Sequence, residues 1–130
     1  MKLYLDTCSL HRPLDDKGQL RISLEAEAIL AVLSLCEADR ATLISSEILR
    51  FEVSRNPFPQ RKGFVNEILE RTNIEIPLSD DIEKRAIELQ MRGFKALDAL
   101  HLASAEAAQV DFFCTCDDRF SEANYDADRY

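Results

Sequence analysis

The chain has 130 residues, of which 46% are hydrophobic, and it contains 3 glycines and 4 prolines with no low-complexity run. These values predict one domain over residues 1–130 that can bury a core without disulfides or a structural metal. The longest apolar stretch, residues 28–35, is too short to cross a bilayer, and Asp6 interrupts the pattern of a signal peptide, so we expect a cytoplasmic protein with no membrane contact.

The net charge is −8, from 24 acidic and 16 basic residues. Taken alone, this acidity argues against nucleic-acid binding, because a phosphate backbone attracts a basic surface. Two explanations remain open. The carboxylates are concentrated at a metal site, where a divalent cation reverses the local sign of the charge, or they form an ordinary solvated surface.

Strands and helices are predicted to alternate along the chain. Strands are predicted over residues 2–5, 41–44, 74–76 and 110–114. Helices are predicted over residues 22–35, 46–55, 60–71, 79–91 and 97–108, and a last helical turn begins at 117–118. This alternation predicts an α/β fold with a parallel sheet covered by helices on both faces. Sheets of this kind place their sites at the carboxyl ends of the strands.

Two aspartates follow predicted strands directly. Asp6 ends the first strand, where it either faces a crevice or caps the next helical turn. Asp117 follows the fourth strand. It is a better candidate for a site residue than Asp118 because it lies nearer to the end of that strand. Thr115, just before it, can orient a carboxylate or a water molecule.

Two further acids lie on predicted helices. Glu47 and Glu52 are five residues apart and project in different directions, and Glu47 is explained by its favourable position in the first turn. Glu52 is therefore the candidate. Asp98 opens a helix rich in Ala and Leu, and a buried acid needs a partner or a metal. His101, one turn later, is expected to pack or to support the site from outside, because carboxylates favour a hard, oxygen-preferring cation.

Four segments together resemble the PIN domain family, nearly from end to end. They are an apolar strand followed by Asp6-Thr7, Ser46 followed six residues later by Glu52, residues 98–105 (DALHLASA) and residues 113–120 (FCTCDDRF). The resemblance implies a Rossmann-like parallel sheet of four to five strands and a magnesium- or manganese-dependent RNA endonuclease. Many members are VapC-type toxins of bacterial toxin–antitoxin pairs. It also implies four site residues, hereafter the four acids: Asp6, Glu52, Asp98 and Asp117.

The chain departs from the family pattern in two places. Toxin members often have Asn where this chain has Cys8, and many have a further short strand near the C-terminus, whereas this sequence ends at Tyr130. Because of the second departure, the sequence does not determine whether a further strand ends the sheet. Neither departure affects the four acids.

The chemistry predicts distinct roles within the site. Like charges raise one another's pKa, and a divalent cation removes that repulsion. We expect Asp6, Asp98 and Asp117 to bind the metal, and Glu52 to position the water or to hold a second ion, with one or two metals left open. The residues expected to support the site are Thr7, Thr115 and Asp118. The residues expected to bind RNA are Arg12, Arg55 and Arg119. The expected partners are the RNA substrate, an antitoxin protein and a second copy of the chain.

Two other classes of function compete with this interpretation: a non-catalytic binding module, and a phosphotransfer domain that is either a phosphatase or a response-regulator receiver. A PIN-like fold that binds RNA or protein without catalysis is disfavoured because all four acids are present. A haloacid-dehalogenase-like phosphatase needs a second acid two residues after its nucleophile, where this chain has Cys8. A response-regulator receiver needs a late lysine, and none follows Lys95.

Overall fold

The computed structural model describes residues 1–118, and within that range strands and helices alternate. The strands are β1 (Lys2–Leu5), β2 (Thr42–Ser46), β3 (Ile74–Ile76) and β4 (Phe112–Cys114). The α-helices are α1 (Thr7–His11), α2 (Leu20–Glu37), α3 (Glu47–Ser54), α4 (Pro59–Glu70), α5 (Asp80–Met91) and α6 (Ala96–Ala107). No helix in this part of the chain combines the length and the apolar character needed to span a membrane.

The four strands form one parallel sheet in the order β3-β2-β1-β4. Leu3 of the central strand β1 is in register with Leu43 of β2 on one side and with Phe112 of β4 on the other. The predicted α/β fold with a parallel sheet is therefore confirmed. The sequence left open whether a fifth strand follows, and that question and the remainder of the last helical turn concern residues 119–130, outside the described residues.

Helices cover both faces of the sheet, and β1 shows why. Successive side chains of a strand point to opposite faces. Leu3 and Leu5 pack on one face with buried residues of α2, α3 and α4, whereas Tyr4 packs on the other face with Ile44 and Ala105. All three β1 side chains are buried, as expected for a central parallel strand.

The starts of α1 and α3 are fixed by side-chain caps at the sheet's carboxyl edge. Ser46 ends β2 and its hydroxyl accepts a hydrogen bond from Leu49 N, which confirms the predicted start of α3. Asp6 follows β1 and caps α1 in the same way. The sequence analysis predicted no helix at α1, because its five residues are too few to show apolar periodicity. A 3₁₀ turn, Arg12–Leu14, follows α1.

Candidate active site

Asp6 is held rigidly at the carboxyl end of β1. Its side chain is 4% exposed. One carboxylate oxygen accepts a hydrogen bond from Ser9 N at 3.0 Å, and the other accepts one from the Thr115 hydroxyl at 2.6 Å. Burial raises the pKa of Asp6, and these hydrogen bonds oppose that rise. Of the two alternatives that the sequence left open for Asp6, the structure shows the capping role.

Glu52 projects from the middle of α3 toward the same edge of the sheet. Its carboxylate accepts a hydrogen bond from the Thr7 hydroxyl on α1. The same oxygen, Oε1, lies 3.2 Å from His101 Nε2 on α6. Glu52 is thus held between α1 and α6 by Thr7 and His101.

A buried chain of hydrogen bonds lies behind Glu52. The Tyr4 hydroxyl lies 2.6 Å from His101 Nδ1 and 2.6 Å from Ser46 Oγ. When His101 carries its hydrogen on Nε2, Tyr4 donates to Nδ1 and Nε2 donates to Glu52. Both ring nitrogens of His101 and the Tyr4 hydroxyl then have hydrogen-bond partners. Burial raises the pKa of Tyr4, and the charges of Asp6 and Glu52 raise it further, so Tyr4 remains a hydrogen-bond donor. His101 therefore supports the site from outside it.

Asp98 and Asp117 complete the edge. Asp98 lies in the first turn of α6 and Asp117 follows β4, and both are partly buried. The backbone N–H of Asp117 donates to Thr115 Oγ1 at 3.0 Å, and the same hydroxyl donates to Asp6. Thr115 thus links Asp117 to Asp6.

The side chain of Cys8 reports on the charges near Asp6. Cys8 reaches the surface in the first turn after Asp6. Desolvation by the surrounding protein raises the pKa of this thiol to about 12, and the negative charges of all four acids add to that rise. The charges of carboxylates from β1, α3, α6 and the segment after β4 therefore all act on one side chain.

The donor chemistry of the site suits a hard divalent cation, because all four acids offer carboxylate oxygens. Asp6 in addition is a buried carboxylate whose pKa is raised, and a cation beside it would offset the cost of its charge. Among residues 1–118, however, no three His, Cys, Asp or Glu side chains lie close enough together to enclose an ion in this structure.

Asp118, predicted to support the site, lies at the surface. Its carboxylate forms a two-point ion pair with Arg21 at 2.6 and 3.0 Å, and its side chain is 68% exposed. This pair joins the segment after β4 to α2. The structure therefore brings Thr7 into contact with Glu52 and Thr115 into contact with Asp6 and Asp117, whereas it joins Asp118 to a basic residue.

The three arginines predicted to bind RNA lie in different settings. Arg12 is partly buried and lies within ion-pair distance of Asp15 and Glu25, at 3.1 and 3.5 Å. Arg55 is exposed, and its guanidinium carbon lies 5.5 Å from the centroid of the Phe51 ring. Arg119 lies outside the described residues. Arg12 is thus already engaged with carboxylates, whereas Arg55 faces open space beside Glu52.

Two features of the site were not predicted from the sequence: the role of Tyr4, and the hydrogen bond between Ser46 Oγ and the Tyr4 hydroxyl. Tyr4 is a polar aromatic residue in an apolar strand, on the face opposite Leu3 and Leu5. A buried tyrosine hydroxyl usually has a hydrogen-bond partner, so its position was a signal that could have been read. The partner itself, His101, lies 97 residues away in sequence and could not be assigned without the fold.

The family model for the PIN domain matches residues 3–124. The chain belongs to the PIN domain family. No curated protein matches it by sequence.

Three solved structures share its fold. VapC20 from Mycobacterium tuberculosis, a sarcin–ricin loop cleaving toxin, has a TM-score of 0.62 at 16% identity, covering 92% of this chain and 93% of that one. VapBC2 from Rickettsia felis, bound to a DNA fragment from their promoter, has a TM-score of 0.62 at 19% identity, covering 94% and 92%. FitAcB from Neisseria gonorrhoeae has a TM-score of 0.54 at 20% identity, covering 89% and 88%.

Proposed function

We propose that this chain is a divalent-cation-dependent RNA endonuclease that hydrolyses phosphodiester bonds, and that it is the toxin of a toxin–antitoxin pair. The observations that support this proposal are the hydrogen-bonded carboxylates of Asp6 and Glu52 at the carboxyl edge of the sheet and the charges of all four acids that act on Cys8. The similarity to VapC20, a sarcin–ricin loop cleaving toxin, supports RNA as the class of substrate. VapC-type proteins among the structural relatives support the role of a toxin.

We assign metal binding to Asp6, Asp98 and Asp117. Magnesium and manganese prefer carboxylate oxygens and retain several waters, so a few carboxylates and the substrate phosphate suffice. A bound ion would supply positive charge that offsets the repulsion among the carboxylates, and it would lower the pKa of the attacking water. Metal binding requires the carboxylates to come closer together, and the positive charge of the ion would favour that approach.

The protein's own residues orient the reactants. Thr115 fixes the direction of the Asp6 carboxylate, and Thr7 and His101 fix that of Glu52. Glu52 is then placed to accept a hydrogen bond from the water that attacks phosphorus. A carboxylate held from two sides loses little rotational freedom when it performs this role, which favours reaction.

We further propose an inhibitory antitoxin and a homodimer. The acidic charge of −8 favours an antitoxin whose contacting segment is basic, with Arg or Lys directed at the four acids. Size-exclusion chromatography with light scattering tests the homodimer, and a monomer at high micromolar concentration would remove that part of the proposal.

Cleavage of a structured RNA tests the activity. The purified full chain is incubated with the RNA and Mn²⁺, with Mg²⁺, or with EDTA, and we expect cleavage with the metals and none with EDTA. Binding of RNA without cleavage under any of these conditions would instead support the non-catalytic binding module.

A further inference from the structure

A pocket of about 610 Å³ opens directly beside Glu52. It lies between α1 and the connection from α3 to α4. The lining residues that matter here are Thr7, His11, Glu52, Arg55, Phe58 and Arg61. Thr7 and Glu52 line this pocket and also belong to the candidate active site, so the pocket is continuous with the site of the four acids.

The pocket gathers positive charge in an acidic protein. Arg55 is exposed, and within residues 1–118 it forms no ion pair, since its contact is with the ring of Phe51. Arg61 lies 2.7 Å from Asp15, yet its side chain remains 29% exposed at the pocket wall. An arginine fork matches the geometry of a phosphate group, so the two guanidinium groups suit an anion entering beside Glu52.

The pocket also presents an aromatic ring. Phe58 is 62% exposed, although exposing a ring of this size gives up its favourable burial. Its backbone is held in place, because Phe58 N donates to Asn56 Oδ1 at 2.9 Å and prolines stand on either side of it. Asn56 is in turn anchored to α1, with its side-chain nitrogen 3.4 Å from His11 Nε2. Phe58 is therefore an exposed ring on a stiff, anchored backbone.

We propose that this pocket binds one nucleotide of single-stranded RNA, with the base stacked on Phe58 and the adjacent phosphates bound by Arg55 and Arg61. This inference rests on the proposed function and adds to it where the substrate strand lies. Proteins bind single strands by combining a positively charged path for the backbone with aromatic rings for the bases. The base must be unstacked to reach Phe58, so the substrate class is a loop or another single-stranded segment. The volume is in the range of pockets that hold small ligands.

Binding of a short RNA isolates the pocket from the chemistry. The full chain with Asp98→Asn, without added metal, is titrated into a fluorescein-labelled single-stranded oligoribonucleotide, and anisotropy gives Kd. We expect Phe58→Ala to raise Kd at least about fivefold, the lower limit for losing one stacked base. Arg55→Ala should also raise Kd and should reduce the salt dependence of log Kd by about one unit of slope.

The controls remove similar side chains from the opposite edge of the sheet. Phe112→Ala removes a ring that is 57% exposed at the start of β4, and Arg40→Ala removes an exposed arginine just before β2. Both should leave Kd within about twofold of the parent, the range of unrelated surface changes. Phe58→Trp should retain binding, because the indole also stacks, whereas Phe58→Leu should not.

An oligomer in which every base is absent separates stacking from charge. Arg55→Ala should weaken its binding, and Phe58→Ala should leave it unchanged. If Phe58→Ala raises Kd for the complete oligonucleotide no more than Phe112→Ala does, the proposed nucleotide pocket is wrong. A protein partner then becomes the expected occupant of the pocket. That result leaves cleavage by the wild-type chain unaffected. Conversely, if the wild type fails to cleave RNA but Phe58 still determines binding, the proposed nuclease activity fails and the nucleotide pocket stands.

Discussion

His101 Nε2 lies 3.2 Å from Glu52 Oε1, although the two residues are 49 positions apart and lie on different helices. The other ring nitrogen of His101 lies 2.6 Å from the hydroxyl of Tyr4, which is fully buried. The orientation of a candidate catalytic carboxylate therefore depends on a hydroxyl group in the core. This dependence leads to a test of the site that leaves all four acids unchanged.

Tyr4→Phe removes only that hydroxyl. We expect the free energy of unfolding to fall by about 1–3 kcal/mol, because His101 Nδ1 is left without a buried partner and Ser46 Oγ keeps only its bond from Leu49 N. RNA cleavage should slow while the affinity for RNA stays unchanged, because Glu52 loses its orientation and the RNA-binding surface does not change. Urea unfolding, the cleavage rate and the anisotropy of a labelled RNA measure the three quantities.

Ser34→Ala is the control for Tyr4→Phe. It removes an exposed hydroxyl that is bonded to Leu30 O on α2, so stability should change by less than about 0.5 kcal/mol. If Tyr4→Phe cleaves RNA as fast as the wild type, the Tyr4–His101 chain does not position Glu52. If RNA affinity falls together with the rate, the change has disturbed more than the orientation of Glu52.

Much of the fold was readable because local signals agreed with it. The predicted helices 46–55 and 79–91 begin at Ser46 and Ser79, and in the structure both side chains cap a helix by accepting a backbone hydrogen bond, from Leu49 N and Ile82 N. The strand at residues 74–76 has the predicted bounds. These features depend on residues within a few positions of one another, so the sequence contains the whole signal.

The contacts inside the site depend on packing and were not readable. Position along α3 favoured Glu52 over Glu47, but the partners of Glu52 come from α1 and α6. Arg12 follows Asp6 closely in sequence, yet the 3₁₀ turn after α1 brings it to Asp15 and Glu25. Sequence proximity to a site residue therefore did not predict which arginine faces open space beside the site.

Metal binding should stabilise the protein. If the carboxylates converge on an ion, Mg²⁺ or Mn²⁺ binds the folded chain and raises its free energy of unfolding, by about 2.7 kcal/mol at a hundred times Kd. The measurement is thermal melting with each cation and with EDTA. Asp98→Asn should reduce the shift because it removes one proposed ligand. Equal melting temperatures at millimolar metal and in EDTA would count strongly against a metal site.

Cys8 should react slowly with iodoacetamide in metal-free protein. Its pKa is raised to about 12, so at pH 8 the reactive thiolate is present in roughly one molecule in ten thousand. Alkylation should accelerate as the pH rises from 8 to 11, because the ionised fraction grows with each unit. Peptide mapping by mass spectrometry in EDTA follows Cys8 separately from the other cysteines.

The rate of Cys8 alkylation also reports the effect of the four acids' negative charge on this thiol. Asp98→Asn removes one negative charge near the thiol, so the pKa of Cys8 should fall and alkylation at a fixed pH should accelerate. Protein unfolded in urea gives the reference rate. If folded Cys8 reacts as fast as the unfolded reference at pH 8, folding does not raise the pKa of this thiol, and neither desolvation nor the four acids act on it as expected.

Asp98→Asn gives the sharpest test of the proposed catalytic site. The change retains the volume of the side chain and removes its charge. Loss of one ligand weakens metal binding and the polarisation of water, so RNA cleavage with Mn²⁺ should fall by at least about a hundredfold, comparable to losing one electrostatic stabiliser. In EDTA the melting temperature should stay equal or rise, because one member of a group of like charges is neutralised.

Glu47→Gln is the matched control, since it makes the same chemical change on the helix that bears Glu52. Glu47 Oε1 accepts a hydrogen bond from Leu78 N at 3.2 Å, and the Gln side-chain oxygen can accept the same bond. The loss is confined to the helix dipole, about 0.3–1 kcal/mol, with cleavage unchanged. If Asp98→Asn cleaves RNA as fast as the wild type, the proposed site is wrong. If Asp98→Asn is inactive and its melting curve shows an unfolded chain, Asp98 is structural, and the catalytic assignment of Asp98 is withdrawn.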